Sequence, residues 1–135
     1  MANTVYPKFK EAALSTGGNL LTGTLKAMLV DTGSYTYNAA HQFLSSVAAG
    51  ARVGTAVTMA NKSVASGVFS ADNLAFSGLV SAPTIEAIVL YLDTGNEATS
   101  QLVAYIDTAT GLPTASGQTS VTVTWDTGAN KIFRL

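Results

Sequence analysis

The sequence has no cysteine. That excludes a disulfide framework, thiolate metal sites and a cysteine nucleophile, and it leaves the redox compartment open. Charge is nearly as scarce: Asp, Glu, Lys and Arg together make 11% of the chain, and the formal net charge is -1. An average soluble domain carries about 25%. So sparse a field gives no pull on nucleic acid or on an anionic membrane surface, and neither is expected as a partner. No apolar run approaches the roughly 18 residues of a membrane helix. The opening MANTVYPKFKEAA has no basic segment followed by an apolar core, so it does not read as a secretory signal. Weak charge also means weak protection against association, which suits a protein that works docked against others.

What is present is apolar and short-ranged. The 135 residues are enough for one domain with its own core and no covalent staples. Between Pro7 and Ser15 the apolar Phe9, Ala12, Ala13 and Leu14 recur at helical spacing, Pro7 stands early, and Gly17 and Gly18 end the pattern. A short N-terminal helix over 7–15 follows. Beyond it, strand-like runs fall at 25–31, 51–59, 62–70, 73–80, 84–93, 100–107, 119–126 and 130–135, bounded by Gly, Asn, Asp, Ser or Pro. About eight short strands with no alternating helices predict an all-β fold, an antiparallel β-sandwich of jelly-roll type, over 1–135.

Three segments differ from the rest. In the run 119–126, Val121, Val123 and Trp125 alternate with Thr122 and Thr124, giving one buried and one wet face. The run Ala87 to Leu92 is apolar on both faces, which fits a central strand or a strand covered by a second chain. The stretch 34–47 is the one long irregular connection, it keeps its aromatics, and Ala39 to Leu44 suit a single helical turn.

One motif looks like chemistry. Asp-Thr-Gly occurs at Asp31, Asp93 and Asp126, each after an apolar run, and this is the aspartic-protease signature. That reaction needs two carboxylates sharing a proton about 3 Å apart, an apolar-apolar-Gly segment behind each, and a glycine-rich flap. Neither segment nor flap can be placed, and three copies are too many for a symmetric dyad. A turn explains all three: Asp ends a strand and accepts from the backbone two residues on, while Gly takes a positive φ. The lone His41 has no Gly-x-Ser-x-Gly partner, no carboxylates are spaced for a glycosidase or metal, and no phosphate-binding glycine loop is present. No catalytic residue, metal or cofactor is expected. Glu86, at the head of the most apolar run, reads as a solvated end or as half of an ion pair with Lys26, Arg52, Arg134 or a partner chain.

The blocks MANTVYPKFKEAAL, 26–47, 86–95, 102–113 and TVTWDTGANKIFRL together resemble small virion proteins of tailed bacteriophages, with the N-terminal block and the TWDTGANKIF ending the most specific. Within that group the chain is most similar to jelly-roll capsid decoration, or cement, proteins. The resemblance implies a non-enzymatic protein on the outer capsid surface, present in the host cytoplasm before assembly. Its implied partners are the major capsid protein and a second copy, as a homodimer. A tail or neck component, or a virion-borne carbohydrate-binding module, are the alternatives. The residues expected to make contacts are Tyr35, Tyr37, His41, Phe43, Val89 and Tyr91.

Overall fold

The computed structural model describes residues 3–135. Strand β1 (Thr4–Val5) leads into helix α1 (Pro7–Ser15), whose first turn begins at Pro7, a residue already fixed at helical φ. The helix ends where the N–H of Gly17, at φ 94°, reaches back to the Ala12 carbonyl. Its boundaries are those expected, but its apolar stripe is narrow. Phe9 is buried, Ala12 and Ala13 are half-buried, and Leu14 is 89% exposed.

The remaining strands are β2 (Leu25–Val30), β3 (Arg52–Thr58), β4 (Ser63–Ala65), β5 (Val68–Ser70), β6 (Leu74–Phe76), β7 (Ala87–Leu92), β8 (Gln101–Ile106), β9 (Val121–Val123) and β10 (Phe133–Arg134). All pair antiparallel. A five-stranded sheet runs β1-β8-β7-β2-β3, a three-stranded sheet runs β10-β5-β4, and β6 pairs with β9. The fold is therefore all-β and sandwich-like, with its strands divided five, three and two among the described residues. One continuous apolar core joins the sheets.

Strand β7 is central to the large sheet. It pairs with β2 from Ala87 to Leu92 on one edge and with β8 on the other. Ala87 through Leu90 are fully buried, which explains its two apolar faces without a second chain. Val89 (0% exposed) and Tyr91 (5%) were expected at a contact surface and lie instead inside the sheet.

One expected strand takes another form, and one strand was not expected. The run 62–70 folds as the hairpin β4–β5, because Ser66 and Gly67 both hold positive φ (50° and 78°), the geometry of a tight two-residue turn between twisted strands. Strand β1, too short to show any period, caps one edge of the large sheet through Thr4 opposite Tyr105. The alternation at 121–125 is as expected: Val121, Val123 and Trp125 are buried while Thr122 and Thr124 are exposed.

Candidate interaction surface

The 34–47 connection lies along the outer edge of β8, beside β1. The Gln42 carbonyl accepts from Leu102 N–H at 2.9 Å and Leu44 N–H donates to the Ser100 carbonyl at 2.8 Å, so 42–44 run extended. The helical turn expected at Ala39 to Leu44 forms later, as 3-10 turns at Leu44–Ser46 and Ala49–Ala51. Arg52, at the start of β3, clamps this segment. Its Nε donates to the Val47 carbonyl at 2.7 Å, a terminal nitrogen donates to the Leu44 carbonyl at 3.3 Å, and the same nitrogen pairs with Glu97 at 2.7 Å.

The aromatics of the connection anchor it from within. Tyr35 is buried, its hydroxyl 2.8 Å from the Tyr6 hydroxyl and 2.9 Å from His41 Nδ1. Tyr35 has one proton, so every atom is satisfied when Tyr6 donates to Tyr35 and Tyr35 donates to His41. Burial, and then the hydrogen bond to Tyr35, hold the Tyr6 phenol far above its usual range. Burial is also the chief reason that the Tyr35 and Tyr105 phenols are raised. Tyr37 closes the cluster, its ring centroid 5.2 Å from that of Tyr6 and 5.5 Å from that of Tyr105.

Of the expected contact residues, Tyr35, Tyr37 and His41 thus share one cluster, but Tyr35 faces inward. Tyr37, His41 and Phe43 are half-buried. The ring planes are tilted against one another by 37° to 52°. Tyr6 and Tyr105, which complete the cluster, carried no sequence signal of this role because they join it only through the pairing of β1 with β8. Beside the cluster is a cleft of about 400 Å³ lined in part by Tyr37, Tyr105 and Glu86. Among the described residues Glu86 forms no ion pair. Its carboxylate accepts from Thr32 N–H at 3.0 Å, while Lys26 pairs with Asp93 at 3.0 Å and Arg52 with Glu97.

The three Asp-Thr-Gly segments are turns capped by Asp as expected, but the positive φ expected of all three glycines occurs only at Gly95. Asp31, Asp93 and Asp126 each accept through Oδ1 from the glycine N–H two residues on, at 2.8, 3.1 and 3.1 Å. The glycines serve two purposes. Gly95 has a positive φ of 84°, whereas Gly33 and Gly128 do not; a Cβ on either would come within 3.0 Å of the capping carboxylate. Asp31 and Asp93 follow opposite ends of the antiparallel β2–β7 pair, so within one chain they cannot share a proton. Among the described residues no group of three or more His, Asp or Glu is placed to hold a metal ion, and no helix is long and apolar enough to cross a membrane. No family model matches the chain, and no curated protein matches it in sequence.

Proposed function

We propose that the chain is a non-enzymatic structural protein of a tailed-phage virion: a capsid decoration protein that sits on the outer shell, dimerises, and bridges major capsid subunits. The observation that carries this reading is the 34–47 surface. It holds no Asp, Glu, Lys or Arg, yet it is fixed in place by the tyrosine cluster, the β8 edge and Arg52. Interface centres are depleted of charge. A surface already ordered before binding also loses little conformational entropy on docking.

The accessible surface supports the same reading. At 6642 Å² it equals the roughly 6,600 Å² expected of a compact monomer of this mass, so the fold closes its own core and needs no partner to complete it. Such a unit can be added to a finished shell. Many copies, each with a modest interface, then hold subunits together because several contacts must break at once.

A reconstruction of the intact virion tests the proposal. Hundreds of copies on the outer shell, with 34–47 at the contact, are expected. A few to some tens of copies in a tail or neck ring would replace the decoration reading with the tail reading, and absence from the virion would overturn both.

A further inference from the structure

A concavity of about 690 Å³ lies away from the 34–47 surface, where the N-terminal block meets the C-terminal ending. β1 and Lys10 of α1 line it together with the end of β8 and with 125–126 and 130–135. The loop surface contributes nothing to its lining, and of the Asp-Thr-Gly turns only Asp126 lines it.

The groove collects the uncommitted positive charge of the fold. Of the seven Lys and Arg residues, Lys8 pairs with Glu11, Lys26 with Asp93 and Arg52 with Glu97, and Lys62 donates to the Gly23 carbonyl. The other three are Lys10, Lys131 and Arg134. All three are exposed, make no side-chain hydrogen bond or ion pair among the described residues, and line this groove. One aspartate, Asp126, lines it with them, its Oδ1 accepting from Gly128 N–H. Trp125 and Phe133, largely buried, contribute their accessible edges as apolar lining; the indole is held by its N–H donating to the Asp72 carbonyl at 2.9 Å. Three cationic side chains against one carboxylate side chain leave the lining net positive, which favours a bound anion.

We infer that this groove docks an acidic segment of a partner protein, one in which carboxylates flank an apolar side chain. Charge complementarity selects the carboxylates, and Trp125 and Phe133 select the apolar group. A nucleic acid is the poorer occupant because the chain has a net charge of -1 and no basic stripe to track a phosphate backbone. The inference stands on the groove alone and holds whatever shell or ring the protein occupies.

The probe is the capped peptide Glu-Glu-Phe-Glu-Glu, titrated at low salt into the full chain by calorimetry and by amide and indole NMR. Saturable binding, with shifts at 125–135 and at the Trp125 indole, is expected, and it weakens as salt screens the pairs. The double variant Lys131→Gln with Arg134→Gln, its fold verified by the rest of the spectrum, should bind about tenfold or more weakly. Lys62→Gln, outside the groove, should bind as the parent does. No saturable binding, undiminished binding by the folded double variant, or equal binding of inorganic phosphate or a thymidine oligonucleotide would each overturn the inference.

Discussion

Replacing Tyr35 by Phe removes a single oxygen, the one between the Tyr6 hydroxyl at 2.8 Å and His41 Nδ1 at 2.9 Å. The loss is unequal at its two ends. His41 is half-exposed and water can replace its partner, whereas Tyr6 is wholly buried and its proton is left without an acceptor. Stranding a buried donor costs about 1–3 kcal/mol. For a chain of this length that lowers Tm by roughly 4–10 °C. Tyr6→Phe alone should cost less, about 0.5–1.5 kcal/mol, because Tyr35 still donates to His41. Added to Tyr35→Phe, it removes the stranded hydroxyl, so the double variant should be more stable than the sum of the single losses by about 1 kcal/mol. Urea denaturation of the four proteins measures the cycle. Additive losses, or a neutral Tyr35→Phe, would refute the proton order assigned to the chain of hydroxyls.

Arg52→Ala should destabilise by about 2 kcal/mol, since it deprives the Val47 and Leu44 carbonyls of a charged donor, and hydrogen exchange should quicken at 44–51. Glu97→Ala, which removes only the exposed half of that ion pair, should cost under about 1 kcal/mol. Gly95 N–H first, and then Lys26, hold the Asp93 carboxyl below its usual range. Its stabilising contribution is therefore present above the usual carboxylate range and fades as pH falls through that range to the depressed value. Lys26 is raised, chiefly by its hydrogen bond to Asp93, so its share is present below the usual lysine range and fades as pH rises through the raised value. Asp93→Asn should flatten both limbs of Tm against pH, by an amount worth no more than about 1 kcal/mol for a half-buried pair that solvent still screens. Asp126→Ala, which loses its turn bond to Gly128, should cost about 1 kcal/mol at most by urea denaturation.

The parts of the fold that local chemistry controls were legible in the sequence. Pro7 and Gly17 delimit the helix, and the uninterrupted apolar run Ala87 to Leu92 has the composition of a strand covered on both faces. The Asp-Thr-Gly turns were legible for the same reason, since Asp and Gly act on the backbone two residues away. What was missed depends on tertiary placement. Strand β1 is too short to show a period and is defined only by Tyr105 and Ala104 opposite it. Tyr35 has the composition of a contact residue and is buried because Tyr6, from another element, lies beneath it. Lys10, Lys131 and Arg134 become neighbours only when the two ends of the chain meet.

That meeting has a kinetic side. The hairpin of β7 and β8 is the most local pairing in the large sheet, whereas β1 joins it by bringing Thr4 to Tyr105, the widest sequence gap of any strand pair among the described residues. Loop-closure entropy makes such a contact slow unless its docking site already exists. Strand β1 therefore has a ready edge only after β8 has formed, and with it Tyr6 and Lys10 reach their places late. During synthesis the amino-terminal residues leave the ribosome first and stay unpaired until residues past 106 have followed. The groove is thus a mark of finished folding, so a partner that reads it would pass over nascent and half-folded chains.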